Sequence, residues 1–405
     1  MRRVAITGIG LVTPLGKDWN AFCEALASGR SAIQPTLFSQ ENMADLTLPA
    51  AMVEEFDPRV DVPGVKANSW DRSSHFAIYA ARQAAQNAGV TGDGIEALIL
   101  GSSTTSIDTV EENYQRYFCG NGRMSPMAVA KSMPNAPVSA VSIDLGISGI
   151  SYAVASACNS ANQAIINAAT MIQHGVIDTA MAGAVESNFT HGNVSAWNAM
   201  RVLSQDTCRP FCTSRSGLVL GEGGVVFVLE DLERAQAQER RIYAEITGWG
   251  QSSDAQSMTT PYQAGIEKAL RTALIHADIA PCEIDYINAH GTGTDLNDPT
   301  EAAALDQVFS RALTNIPVTS TKGMHGHLLG ASGAIELAAT LAGMEHSFVP
   351  PNVGLQDQIE GSKFRSPIIA EPYTIQTAMS ASYAFGGHNS VLVVTRHDEQ
   401  LSRCR

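Results

Sequence analysis

The chain has 405 residues, 44% of them hydrophobic and 16% charged, which is length for about two or three domains of ordinary size or one large doubled one, with ample apolar material for a core. Peptide-sized, fibrous and globally disordered proteins are excluded. With 26 Lys and Arg against 40 Asp and Glu the net charge is −14, which argues against nonspecific attraction to nucleic acid or anionic lipid, so any acidic partner needs a local basic patch.

Met1-Arg2-Arg3 precedes the apolar run from Val4 to Val12, too short and without a small-residue cleavage site for a secretory signal. It reads as strand, turn and helix start. The next long apolar run, Gly224 to Leu229, is stopped by Glu230 and Asp231, so no stretch reaches the eighteen residues of a membrane span. The cysteines are odd in number, 7, and scattered, unlike a disulfide framework. A soluble, cytoplasmic protein in a reducing compartment is expected.

The chain repeats itself. Val4–Gly10 resembles Ala244–Gly250, Thr179–Ala184 resembles Thr377–Ser382, and Ala97–Ser102 resembles Asp285–His290 more weakly, always in the same order. The offset between partners is larger for the first pair than for the two that follow, which places insertions in the first half, within residues 30 to 75 and 106 to 140. Two segments share a finer pattern. Ile150 to Ser156 reads as a strand, Ala157 to Ser160 as a polar turn, and Ile165, Ala168, Ala169 and Ile172 as one face of a helix ending at His174-Gly175. Pro317 to Thr321 reads as a strand, Lys322 to Gly330 as a turn, and Ile335, Ala338, Ala339 and Leu341 as a second helical stripe. Buried strands alternating with helices predict an α/β fold with its sheets covered on both faces.

The chemistry gathers in these turns. Cys158 falls at a helix N-terminus, where unpaired N–H groups and the dipole favour thiolate; an effect of up to ~2 kcal/mol would carry a thiol from about 8.5 to near 7. Asn288–Thr294 and Ser320–His327 form two histidine-bearing turns after strands, Asp298, Pro299 and Glu301 lie between them, and Gly386-Gly387 separates two apolar runs. A metal set from His290, His325 and His327, or from Cys208 and Cys212, lacks a recognised spacing, and Gly8-Ile9-Gly10 lacks the third glycine of a dinucleotide turn. Neither a metal nor an organic cofactor is expected.

The blocks SACNSANQAI, NAHGTGTDLNDPTE, STKGMHGHLLGASGAIE and SYAFGGHNS, in that order, resemble the active-site blocks of the β-ketoacyl-acyl carrier protein synthases, as do the opening VAITGIGLVTPLG and RPFCTSRSGLVLGEGGVVFVLE. The likeness covers nearly the whole chain and is strongest to the elongating type I and type II condensing enzymes. It implies a thiolase-like fold of five αβαβα layers from two similar halves, here 1–240 with the nucleophile and 241–405 with both histidines. It implies Cys158 as the acylated nucleophile and His290 and His327 as donors to the malonyl carbonyl. Backbone N–H groups of Cys158 and Phe385 would make the oxyanion hole, with Phe385 also a gate. Lys322 would act electrostatically near His327, with Glu301 holding that network.

The resemblance further implies acyl carrier protein as partner, docking on Lys66, Arg72 and Arg201, and a homodimer or a heterodimer with a chain-length-factor-like subunit. It leaves fatty acyl, polyketide and polyene chains open, as well as a malonyl-carrier decarboxylase that never condenses. A noncatalytic chain-length factor is disfavoured because Cys158, His290 and His327 are all present. The chain departs from the family at His325 and His388, where Thr is common, at Cys212, where Asp is common, and at Asn159, expected to alter the pocket mouth.

Overall fold

The computed structural model describes residues 1–40, 43–120 and 122–397; Cys404 lies outside them. One sheet carries the fold. Its strands are β1 Val4–Val12, β2 Ala97–Gly101, β3 Ile150–Val154, β4 Thr179–Glu186, β5 Gly223–Asp231, β6 Ala244–Ser253, β7 Tyr286–Asn288, β8 Val318–Thr319, β9 Thr377–Ala384 and β10 His388–Thr395. Their spatial order is β8-β7-β9-β10-β6-β1-β5-β4-β2-β3. Reading outward from the β6–β1 junction, each side runs antiparallel, antiparallel, parallel, parallel. The two sides are the same sheet built twice, and the junction itself is a short antiparallel pairing of Val4 with Ile246 and Ile6 with Ala244.

The repeated sequence pairs occupy equivalent strands: β1 with β6, β4 with β9, and β2 with β7. The Thr-Gly-x-Gly of β1 and β6 has a packing cause. A Cβ on Gly10 would overlap the Ala80 carbonyl in helix α1 (Arg72–Ala88), and one on Gly250 would overlap the Ala269 carbonyl. Removing the side chain lets helix and strand backbones touch.

The main layers over the sheet are α1, α2 Ala136–Leu145, α3 Ser160–Gln173, α4 Gln263–Ala277, α5 Asn297–Phe309 and α6 Ser332–His346. Strand side chains alternate between cores. Ile99, Ala182 and Phe227 face a central cluster with Ile165 of α3 and Ile335 of α6. Leu98, Met181 and Val226 face an outer cluster with Phe76 of α1 and Val141 of α2. Met379 and Val391 face the opposite outer cluster with Ile266 of α4 and Leu305 of α5. The layers are therefore α1/α2, half-sheet, α3/α6, half-sheet, α4/α5, a thiolase-like αβαβα architecture.

Helix α6 is buried on every side from Ser332 to Met344 rather than along one stripe, because it lies between two half-sheets. The expected first-half insertions appear as a small sheet of Gln34–Phe38, Leu46–Ala51 and Leu220–Gly221, and as the helix Ile107–Cys119 with the short helix Ala128–Ser132. Among the described residues no helix is long and apolar enough to cross a membrane.

Candidate active site

Cys158 stands where β3 gives way to α3. The residue before it, Ala157, holds φ at +52°, a left-handed conformation that costs a non-glycine residue energy and turns the chain sharply. Ser160 braces the elbow: its Oγ accepts from Ser156 N–H at 2.9 Å and donates to the Ala157 carbonyl at 2.7 Å. From the other half-sheet, Ser382 Oγ donates to the Cys158 carbonyl at 2.9 Å. The thiol is buried, and burial pushes it up to about 12, while the Lys322 charge and the Phe385 backbone N–H pull the other way. The thiol is thus protonated at rest, against the depression expected from the helix N-terminus alone. Desolvation outweighs the dipole here.

His290 and His327 come from equivalent turns after β7 and β8, and their rings meet edge to face at 5.4 Å between centroids. Both are held neutral, well below the ordinary histidine range, by burial first and the Lys322 charge second. Their tautomers follow from their neighbours. Nδ1 of His327 accepts from the Leu329 backbone N–H at 3.2 Å, with Ser332 Oγ at 2.7 Å. Nδ1 of His290 faces the Lys322 ammonium at 3.4 Å, and an ammonium only donates. Each Nδ1 is therefore an acceptor, which leaves each Nε2 carrying its proton.

Lys322 is fully buried and contacts the His290 carbonyl oxygen and the Glu336 carboxylate. Lys322 sits directly against His290, its charge acts on His327 as well, and its direct carboxylate partner is Glu336, a residue not singled out from the sequence. Glu301 instead accepts from the backbone N–H groups of His290 and Gly291, both at 2.8 Å, and so fixes the histidine turn. Burial raises Glu301 and Glu336 each to about 7. Glu336 was legible only as a lone acid in the apolar run Ala334–Leu341, a placement that itself demands a buried cation.

Phe385 lies half-buried between β9 and β10, its backbone N–H directed at Cys158 and its ring stacked on Trp197 at 6.1 Å and 20°. Gly386 and Gly387 follow with φ of +86° and +73°. These groups enclose a cavity of about 350 Å³ lined by Cys158, His290, His327, Phe385, Trp197 and Arg201, among others.

None of the four departures lines the cavity. Asn159 is buried and its Oδ1 accepts from Ser390, so it does not line the cavity mouth. His325 is held at about 3 by burial, with Nδ1 2.7 Å from the Gly326 carbonyl and Nε2 2.8 Å from Thr321 Oγ1. His388 is exposed at the start of β10. Burial pushes the Cys212 thiol up, but hydrogen bonds from Ser214 and the backbone of Gln356, Ser214 and Asp357 outweigh it and leave it lowered to about 7.

Of the expected docking residues, Lys66 and Arg201 are exposed, and Arg201 lines the cavity. Arg72 is half-buried, and its guanidinium already grips the buried Glu222 carboxylate at 2.6 and 2.9 Å and lies over the Phe76 ring.

A doubled thiolase-like fold with a cysteine at a helix N-terminus and two neutral imidazoles across the cavity defines an acyl-transfer enzyme. The chain matches the family described as beta-ketoacyl synthase, N-terminal domain, over residues 1–235 and its C-terminal domain over 243–356, and it belongs to that family. It is 38% identical to nodulation protein E of Rhizobium sp. (strain N33), covering 96% of this chain and 98% of that one. It is 35% identical to 3-oxoacyl-[acyl-carrier-protein] synthase 2 of Coxiella burnetii, covering 98% and 99%. Among solved structures, the ishigamide ketosynthase/chain length factor superposes with a TM-score of 0.92 at 29% identity, over 98% of this chain and 100% of that one.

Proposed function

We propose that the protein extends a carrier-bound acyl chain by two carbons through decarboxylative Claisen condensation, with malonyl-acyl carrier protein as extender. The observation that carries this is the opposition of Cys158 to two Nε2–H groups across one cavity. In the first half-reaction the Cys158 sulfur attacks the acyl thioester, the bond to the carrier sulfur breaks, and the thiol proton leaves with the carrier. The backbone N–H groups of Cys158 and Phe385 stabilise the oxyanion. In the second, loss of carbon dioxide breaks the malonyl C–C bond and leaves its electron pair as an enolate. The enolate oxygen faces His290 and His327 Nε2–H, which are neutral donors rather than bases. The enolate carbon then attacks the acyl carbonyl, the C–S bond to Cys158 breaks, and thiolate departs. Lys322, Glu336 and Glu301 hold the His290 turn, and Phe385 with Trp197 gates the acyl side.

The partner is a second subunit on the free edge at β3. Ile150 there is 46% exposed, Ile143 beside it 72%, and Tyr114, Tyr117 and Phe118 form an exposed aromatic group on the helix Ile107–Cys119. An uncharged strand edge with apolar flanks is a pairing surface. The strand Ile150-Ser-Tyr-Ala-Val154 carries no charge against self-pairing, so a second copy fits; the likeness to a ketosynthase paired with a chain length factor keeps a heterodimer as the second reading.

The test is mass spectrometry of carrier-bound products with malonyl carrier and acyl carriers of varied length and unsaturation. A product longer by two carbons and bearing a 3-oxo group is expected, with the acyl group caught on Cys158; the accepted chain separates fatty acyl from polyketide or polyene work. Acetyl carrier alone would identify a decarboxylase, and acylation of another cysteine would overturn the assignment.

A further inference from the structure

Arg201 stands where the helix His191–Ala199 runs out. Met200 caps the helix, and Arg201 follows with φ at +58° and its N–H on the Asn198 carbonyl at 3.0 Å. Glycine is the ordinary residue at such a left-handed exit, because a side chain there costs energy. The chain cannot relax, since Val202 and Ser204 just beyond are strapped to Leu218 by hydrogen bonds of 2.9 and 2.8 Å. The strain is tolerated for the side chain that glycine would remove.

That side chain is exposed and lines the cavity that holds Cys158. Among the described residues its guanidinium makes no hydrogen bond or ion pair; the other arginine so placed, Arg311, does not line the cavity. The remaining charged groups of the lining are two carboxylates, and both have partners. Asp254 accepts from Asn389 at 2.7 Å and from the Tyr262 N–H at 3.1 Å, and Asp295 stands 4.0 Å from Arg215. With His290 and His327 neutral, Arg201 is the one positive charge on the cavity wall among the described residues, and its five N–H donors are unspent.

Acyl group and extender both arrive on a carrier arm whose sulfur must reach Cys158 and whose one charge, a phosphate, lies at the opposite end. Amide and alkyl groups fill the length between. With the sulfur inside and the carrier outside, the phosphate falls at the exposed rim, whereas the malonyl carboxylate is drawn inward with the carbonyl that the two imidazoles hold.

We propose that Arg201 binds the phosphate of the phosphopantetheine arm, its planar fork donating paired N–H bonds to the phosphate oxygens. This rests on the ketosynthase reading and deepens it. Arg201 recognises the arm, which every carrier-bound substrate shares, rather than the acidic side chains of the carrier itself.

The experiment measures acylation of Cys158 in the full-length protein, with one acyl group on three handles: pantetheine, phosphopantetheine and the carrier. Wild type should use the phosphopantetheine thioester with kcat/KM about tenfold above the pantetheine thioester, the scale of a hydrogen bond to a charged group. Arg201→Met should bring that ratio to about one. Arg311→Met, which removes an exposed charge away from the cavity, should keep the wild-type ratio. Arg201→Gly relieves the backbone while removing the side chain, so it should lose the ratio without losing stability in denaturant unfolding. A ratio that survives in Arg201→Met and Arg201→Gly overturns the proposal. So does a loss seen with the carrier substrate alone, which would assign Arg201 to the carrier's acidic side chains. Wild-type acylation by the pantetheine and phosphopantetheine thioesters at one rate overturns this inference only. A wild-type protein in which none of the three thioesters acylates Cys158 overturns the ketosynthase reading, and this inference with it.

Discussion

The ammonium of Lys322 stands 3.4 Å from Nδ1 of His290, with both side chains buried. A cation this close suppresses protonation of the ring and fixes its tautomer in one step, since the nitrogen facing it must accept. His290 and His327 should therefore stay neutral wherever the fold survives. Unfolded histidine binds a proton below about 6.5, whereas the folded rings do not. Stability should fall as pH drops below that value and be unaffected by these groups above it. Imidazole resonances of the two residues should show no titration between pH 8 and 6; a midpoint near 6.5 would refute the assignment.

Separating the half-reactions isolates each role. Cys158→Ala should abolish acylation and condensation while malonyl decarboxylation persists, because the thiol takes no part in that step. His327→Ala should slow decarboxylation by roughly 10²- to 10³-fold, the cost of one oxyanion donor, yet leave acylation of Cys158 measurable. Full-rate decarboxylation by His327→Ala would remove His327 from the mechanism.

The repeat was readable because its cause is local: Gly10 and Gly250 are needed for the same helix–strand approach, and a missing side chain is visible in a sequence. Cys158, His290 and His327 were readable because turns after strands converge on one cavity. Pairings across the chain were not. Nothing near Arg72 announces Glu222, and Glu336 is separated from its lysine by a turn of helix and the histidine loop. The thiol of Cys158 went the opposite way from its helix position because its desolvation depends on the other half-sheet, which no local window contains.

The Lys322–Glu336 pair gives a stability test. Removing one member leaves an uncompensated charge in a site without solvent, so Glu336→Ala should cost about 3 to 5 kcal/mol by denaturant unfolding. The double change Lys322→Met with Glu336→Leu should recover much of that loss while decarboxylation stays impaired. Equal activity in the double variant and wild type would mean the pair serves folding alone.

Glycine substitutions probe the doubled architecture. Gly10→Ala and Gly250→Ala each push a methyl into a helix carbonyl and should each destabilise by at least ~1 to 3 kcal/mol. Gly94→Ala meets nothing within 4 Å and should be nearly neutral. Similar losses at all three sites would show that backbone freedom, not helix contact, sets the glycine requirement.

Carrier docking is the last test. Acyl carrier proteins are acidic, and a chain of net charge −14 repels one except where cations are free to meet it. Lys66 and Arg201 are exposed, and Arg201 borders the cavity, whereas Arg72 is spent on Glu222. Charge reversal at Lys66 and Arg201 together should raise the KM for carrier-bound substrate and weaken its salt dependence, with self-acylation from a small thioester nearly unchanged. Arg72→Glu should behave differently, destabilising the fold by setting a second carboxylate against the buried Glu222 and lowering activity with both substrates. Loss confined to the carrier substrate in Arg72→Glu would keep that residue on the docking surface, and no loss from the Lys66 and Arg201 pair would place the carrier elsewhere.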